Sequence, residues 1–180
     1  MKTSQSVLDF WFNPEHAPYW FEKNSDFDDR IRSQFYELWQ AAVKGECFQW
    51  RESMQGRLAE IIVLDQFSRN LCRDSFQAFS QDTMALVLAQ EALQLPDFNT
   101  LTIDEKRFLL MPYMHSESII IHNTAVRLFK EHTDDLSYEI ALQHQAIIER
   151  FGYYPHRNTL TNRVSTPEEI AFLKDPNNSF

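Results

Sequence analysis

The sequence predicts an all-α protein, a single domain over residues 1–180 made of seven to eight antiparallel helices that pair as helical hairpins. Apolar residues recur at spacings of three and four along most of the chain, which is typical of amphipathic helices. Helix caps are frequent, whereas strand signals are weak. Only three glycines occur, and they are scattered. The glycine-rich loop of a nucleotide-binding α/β fold is therefore excluded.

A cap and a glycine bound the first predicted helix, and an apolar face marks the second. Ser25 is the predicted cap of a helix that runs to about Lys44, and Gly45 follows its end. A second helix is predicted from about Met54 to Ser68, with one apolar face along its length.

Proline and capping residues define the next helices. A third helix is predicted to start near Ser80 and to stop before Pro96. Thr102 begins a fourth, which Pro112 should end or kink because proline lacks a backbone N–H. A longer helix should follow, to about Glu131.

The last two predicted helices carry clear start signals. Ser137 is the predicted cap of a helix that ends at Gly152. Thr166 caps the final helix, with Pro167 at its first helical position. The connections between helices are short, so consecutive helices should pack antiparallel.

The charge pattern argues against nucleic acid as a partner, with one local exception. The formal net charge is −9, and an acidic chain repels phosphate backbones. Residues 150–167, however, contain no Asp or Glu and three arginines: Arg150, Arg157 and Arg163. Two interpretations stay open. The arginines pair with nearby acids and helix carboxyl ends, or they form an anion-binding site.

Cysteine usage and hydropathy predict a cytoplasmic protein without a membrane partner. Cys47 and Cys72 are too few for a disulfide framework and fit free thiols in a reducing compartment. The N-terminus lacks the apolar stretch of a signal peptide. The longest apolar run, residues 108–114, is far shorter than a membrane span.

Five motifs occur in order along the chain: LDFWF (8–12), VLDQFSRN (63–70), MPYMHSE (111–117), RFGYYPHRN (150–158) and STPEE (165–169). With these motifs the chain resembles a bacterial family catalogued as domain of unknown function 924, over nearly its whole length. The resemblance implies an all-helical, tetratricopeptide-like fold and no particular activity. Two positions depart from the family pattern. Tyr153 stands where the family often has Arg, and Asn162 where it tends to have Gly, although Asn tolerates a left-handed turn.

Ionisable side chains recur on the apolar faces of three predicted helices. Asp65 and Arg69 continue one apolar stripe, and His144 lies on another. His115 and His122 share a third. These residues are either an internal ion pair and core histidines that hold helices together, or parts of one polar interior or pocket.

Spacing argues against metal and nucleophile chemistry. His115 and His122 are seven residues apart, about 10.5 Å along a straight helix, so they cannot bind one ion together. No zinc motif is present, and we predict no cofactor; a metal held by separate helices is the alternative. Ser116 lacks a nucleophile elbow. Cys72 is expected to be an inert thiol, with activation by a neighbouring arginine as the alternative.

We predict that the two Arg-Asn endings, residues 69–70 and 156–158, meet in space beside the start of the helix that follows Pro112. Both endings emerge at helix carboxyl ends, where Arg and Asn can donate to free carbonyls. Asp65, Arg69, His115, His156 and Arg157 would then line one cleft, with Glu117 at its rim. The full set of pocket candidates is Asp65, Gln66, Arg69, Asn70, His115, Glu117, His144, His156, Arg157 and Asn158.

Three functions remain open. The first is a binding module for a small anionic ligand or a peptide terminus, favoured because no catalytic motif is recognisable. The second is a cofactor-independent acid–base enzyme, a hydrolase or isomerase, that uses His and Asp. The third is a structural polar network, with function on an outer protein-interaction surface. The sequence does not determine the substrate or the oligomeric state.

Overall fold

A computed structural model describes residues 2–175 and shows an all-helical protein. More than half of these residues lie in α-helices and none in a β-strand, so helical content is well above the ordinary third. The nine α-helices of this part of the chain are α1 (Ser4–Trp11), α2 (Ser25–Val43), α3 (Met54–Ile62), α4 (Ser68–Leu71), α5 (Asp82–Leu93), α6 (Ile103–His115), α7 (Ile119–His132), α8 (Asp135–Phe151) and α9 (Pro167–Lys174). Short 3₁₀ turns join several of them.

The predicted number of seven to eight helices is too low for two reasons. Helix α1 is short, and its capping box pairs Thr3 with Ser6 instead of the more familiar Glu or Gln. The helix predicted from Met54 to Ser68 continues to Leu71, but it is divided by a π turn at Val63–Phe67. A single widened turn does not interrupt apolar periodicity, so the pattern does not reveal it.

Two of the predicted caps are wrong by one to three residues. Asn24, not Ser25, caps α2, and its side-chain oxygen accepts from the N–H of Phe27. Asp134, not Ser137, caps α8 and accepts from the N–H of Ser137. In both cases the earlier residue has the extended backbone that an N-cap requires.

The other predicted helix starts agree more closely with the structure. Thr102 and Thr166 form full capping boxes, with Glu105 and Glu169 respectively. Helix α5 begins at Asp82, two residues after the predicted Ser80, because a 3₁₀ turn precedes it.

Pro112 lies inside α6 and does not end it. The helix continues to His115 because residues 108–114 are all buried in the core, which offsets the loss of one backbone hydrogen bond. The helix is then interrupted at residues 116–118, before α7 starts at Ile119. His115 therefore sits at the carboxyl end of α6, not at the start of the following helix as predicted.

The core is built around α3 and its π extension. Ten of the eleven residues from 58 to 68 are fully buried, and α1, α2, α5 and α6 pack around this segment. Trp11 packs against Phe67 and Phe108, with ring centroids 5.7 and 5.2 Å apart. Helix α7 packs against α6, and α8 packs against α7. Within residues 2–175, no helix is long and apolar enough to cross a membrane.

Two left-handed residues place the segment that follows α8. Gly152, with φ of 79°, ends α8, and its N–H donates to the carbonyl of Ile148. Asn162 adopts φ of 58° at the end of the 3₁₀ segment Pro155–Thr161, so the left-handed turn expected at this residue is present. This 3₁₀ segment packs against the 3₁₀ turn Phe76–Ala78, which precedes α5.

Candidate functional site

A small cleft lies where three parts of the chain meet. They are the start of α5 with its preceding 3₁₀ turn, the end of α6 with the residues that follow it, and the 3₁₀ segment after α8. The cleft has a volume of about 230 Å³ and is lined by Phe76, Phe79, Asp82, Thr83, Leu86, His115, Ser116, Glu117, Arg157 and Thr161. At roughly 30 Å³ per water, this is room for about seven waters or a small organic molecule.

A carboxylate–imidazole pair lies between the π turn and the end of α6. Asp65, fully buried, accepts a hydrogen bond from Nδ1 of His115 at 2.7 Å. Gln66 donates to the other carboxylate oxygen at 2.5 Å. Arg69 donates to the carboxylate at 3.2 Å and to the backbone carbonyl of Asp65 at 2.8 Å. π turns are frequent at functional sites, and Asp65 is the only acidic residue of this one.

The groups around Asp65 keep it ionised. Burial by itself would raise the pKa of Asp65, but its interactions with His115 and Arg69 outweigh burial and lower the pKa to about 2. The Arg69 side chain is 20% exposed. The predicted burial and hydrogen bonding of this pair are confirmed.

Asp82 links the two arginines from the Arg-Asn endings. Its Oδ2 accepts from Arg69 at 3.0 Å and lies 3.1 Å from Nη1 of Arg157. Because both guanidinium groups contact one oxygen, they lie much closer than the roughly 15 Å beyond which one small ligand could not touch both. The two endings thus meet in space. The sequence does not single out Asp82, because an acid in the first turn of a helix is ordinarily explained by the helix dipole.

Arg157 is the most deeply buried cation of the cleft. It is 7% exposed, and its guanidinium lies between the rings of Phe79 and Tyr154, at 4.3 and 4.9 Å from their centroids. Nη2 donates to the carbonyl of His115 at 3.1 Å. Nε has no hydrogen-bond partner within residues 2–175. An unpaired buried donor costs about 1–3 kcal/mol.

Glu117 lies at the rim of the cleft as an ion-paired carboxylate. Both of its oxygens accept from Arg163 at 3.0 Å, and Oε1 also accepts from the N–H of Tyr154 at 2.9 Å. Burial would raise the pKa of Glu117, but these hydrogen bonds lower it below its ordinary value. The ring centroid of Tyr153 lies 4.2 Å from the Arg163 guanidinium.

Two predicted asparagines lie outside the cleft. Asn70 faces α2, where its side chain donates to Asp28 at 2.8 Å beside Arg73. Asn158 is 1% exposed and donates to Glu169 at 3.0 Å, so it secures the start of α9. Each asparagine directly follows its arginine, and consecutive residues of a helix point about 100° apart.

Two predicted histidines also lie outside the lining of the cleft. His144 on α8 donates from Nδ1 to the carbonyl of Ile140 at 2.8 Å, and its ring packs 5.8 Å from that of Tyr154. His156 is exposed, with its ring 6.4 Å from that of Phe79. Of the predicted set, only His115, Glu117 and Arg157 line the cleft. Asp65, Gln66 and Arg69 are not in its lining and are linked to it through His115 and Asp82.

The basic segment is paired with acids, as its first interpretation predicts. Arg150 contacts Glu168 at 2.7 Å on the surface, whereas Arg157 and Arg163 contact Asp82 and Glu117. Arg157 alone lines the cleft.

The surroundings of the candidate nucleophile Cys72 do not activate it. Burial raises the pKa of the Cys72 thiol, and the charge of Arg32 only partly offsets this. Ser116 lines the cleft, and its backbone carbonyl accepts from Nε2 of His122 at 2.8 Å. Within residues 2–175, no three His, Cys, Asp or Glu side chains are arranged to hold a metal ion.

Acid should destabilise the protein through His144. Burial lowers its pKa from 6.5 to about 3, so between these values the unfolded chain binds a proton that the folded chain does not. Stability is therefore present above pH 6.5 and falls as the pH decreases. We expect a loss of about 2 kcal/mol between pH 6.5 and 4.5, measured by urea unfolding.

His144→Leu should reduce this acid-induced loss, whereas Gln143→Ala, at the exposed neighbouring position, should leave it unchanged. An identical pH profile for His144→Leu and the wild type would show that His144 does not cause the loss.

Comparisons with known proteins identify relatives of similar length. The model of a family described as bacterial protein of unknown function (DUF924) matches residues 7–177. A solved structure of a protein of unknown function from Agrobacterium tumefaciens is 32% identical and superimposes with a TM-score of 0.88, covering 95% of this chain and 96% of that chain. The comparison with curated proteins gave no match.

Proposed function

The chain belongs to the bacterial DUF924 family, and for this member we propose that the cleft binds a small ligand through an anionic group. The observation that carries this proposal is the unpaired Nε of Arg157, a buried cation in the lining of the cleft. A carboxylate or phosphate oxygen would satisfy that donor, and guanidinium groups bind both with charge-assisted hydrogen bonds. A peptide carboxyl terminus offers the same chemistry.

Substitution of Arg157 should weaken anion binding. We expect isothermal titration calorimetry to detect binding of inorganic phosphate or a small carboxylate to the wild type, and Arg157→Met to weaken it at least tenfold. Arg157→Lys keeps the charge and should lose less.

The matched control is Arg150→Met, which removes a half-exposed arginine of the same segment that is paired with Glu168. Its affinity should equal that of the wild type. If none of these anions bound, or if both methionine variants lost affinity equally, the proposal would be contradicted and a purely structural polar network would be favoured.

Acid–base catalysis is a second candidate, supported by the 2.7 Å bond between His115 and Asp65. A carboxylate that accepts from Nδ1 fixes the imidazole tautomer with Nε2 as a base, the arrangement used in hydrolytic enzymes. The test is hydrolysis of a simple ester such as p-nitrophenyl acetate. Turnover equal in the wild type and His115→Gln would exclude this role.

For the scaffold, we propose a tetratricopeptide-like arrangement of helical hairpins in a cytoplasmic protein. The packing of α7 on α6 and of α8 on α7 supports the first point, and the free thiols of Cys47 and Cys72 support the second. Superposition of these helix pairs on a tetratricopeptide repeat tests the arrangement, and cell fractionation tests the location.

A further inference from the structure

We propose that the ligand of this cleft is a small monocarboxylic acid with an apolar body, and that His115 holds one proton when the acid is bound. This inference rests on the binding function proposed above and adds the chemical class of the ligand.

The charges of the cleft balance when His115 is neutral. Three carboxylates are paired with three guanidinium groups: Asp65 with Arg69, Asp82 with Arg69 and Arg157, and Glu117 with Arg163. A proton on His115 then leaves one positive charge, which one carboxylate neutralises. A phosphate dianion would leave one uncompensated negative charge in a partly desolvated cleft, which is unfavourable.

His115 is the histidine best placed to take up this proton. The charged and titratable groups around His115 come from every neighbouring element. The π turn and α4 supply Asp65 and Arg69, α5 supplies Asp82, and Glu117 follows α6. Helices α7 and α8 supply His122 and His144, and the segment after α8 supplies His156, Arg157 and Arg163. Burial lowers the pKa of both His122 and His144, which disfavours proton uptake at these two side chains. His156 lies outside the cleft lining. His115 alone contacts a carboxylate, Asp65, while lining the cleft.

The arginines already accommodate a planar carboxylate. The carboxylate of Asp82 bridges Arg69 and Arg157, with nitrogen–oxygen distances of 2.9 to 3.1 Å. This arrangement suits two-oxygen acceptors, which guanidinium groups bind with parallel hydrogen bonds. A ligand carboxylate beside Asp82 would meet the remaining donors of Arg157, including the unpaired Nε.

The opposite wall selects for an apolar body. Phe76, Phe79 and Leu86 line the cleft together, and Phe76 is 56% exposed. An apolar group that covers these side chains gains about 25 cal/mol for each Å² removed from water. The cleft, at about 230 Å³, is smaller than the roughly 300–1,000 Å³ of drug-sized sites, so the acid must be small.

The test compares three probes by isothermal titration calorimetry: benzoate, benzamide and inorganic phosphate. Benzamide has the shape of benzoate without its charge, and phosphate has charge without an apolar body. We expect benzoate to bind at least tenfold more tightly than either of the others. Titrations in buffers of different ionisation enthalpy should show proton uptake with benzoate, and its affinity should fall about tenfold from pH 6 to pH 8.

Three variants locate the effects. His115→Gln should abolish the proton uptake and the pH dependence. Phe76→Ala should weaken benzoate binding at least fivefold, whereas Phe48→Ala, at a similarly exposed position outside the cleft, should not change it.

The outcomes separate this inference from the function on which it rests. Phosphate binding that depends on Arg157, without benzoate binding, would overturn the ligand class and leave the anion-binding function intact. Benzoate binding without proton uptake, or with uptake unchanged in His115→Gln, would overturn the role of His115. Failure of every anion to bind would overturn both proposals.

Discussion

Replacing Asp65 with alanine should lower the free energy of unfolding by about 3–5 kcal/mol. The carboxylate is fully buried and is contacted by His115, Arg69 and Gln66. Its removal leaves a guanidinium group and an imidazole in the interior without their counter-charge, together with a small cavity. Urea unfolding followed by circular dichroism measures the change.

The chain provides a matched control for this substitution. Arg127 and Glu131 form another acid–base pair four residues apart, but their side chains are 61% and 48% exposed. Glu131→Ala should change stability by less than about 1 kcal/mol because solvent screens exposed pairs. Losses of similar size in the two variants would show that burial does not strengthen the Asp65 interaction.

Gly56→Ala should destabilise the protein by about 3 kcal/mol, at the upper end of the range for overpacking. In an ordinary helix the same change would stabilise by about 1 kcal/mol, because glycine is a poor helix former. Here a Cβ atom at position 56 would lie 2.0 Å from the backbone oxygen of Trp50. The backbone of the 3₁₀ turn Phe48–Glu52 would have to move, and with it the pairing of Arg51 with the buried Glu60.

Gln55→Ala is the control for helix propensity, since Gln55 is the exposed neighbour of Gly56 in the same first turn of α3. It should change stability by only a few tenths of a kcal/mol. Thermal melting of both variants decides the matter, and a Gly56→Ala protein as stable as the wild type would contradict the close approach.

Helix positions were predictable where a local signal sets them. The capping boxes at Thr102 and Thr166 and the left-handed end at Gly152 depend on residues a few positions apart, so the sequence contains them in full. Where two neighbouring residues could both act as a cap, as at Asn24 and Ser25, the choice follows from the path of the preceding chain. Local reasoning does not include that path.

The candidate site was predictable only in part, for the same physical reason. Helical periodicity placed Asp65 and Arg69 on an inward face, and the structure agrees. Periodicity could not show that Asp82 would bridge Arg69 to Arg157, because these residues approach each other only when α5 packs beside the segment after α8.

The sequence by itself determined the all-helical class, several helix boundaries and the inward face that carries Asp65 and Arg69, because each depends on spacing and backbone preferences over a few residues. Only the tertiary structure decided which of those side chains share a cleft. His115, at the carboxyl end of α6, contacts Asp65, whereas the buried contacts of Asn70 and Asn158 place these two side chains in other networks. It also decided the consequence of a side chain at Gly56, since the Trp50 carbonyl reaches that position through packing and not through sequence spacing.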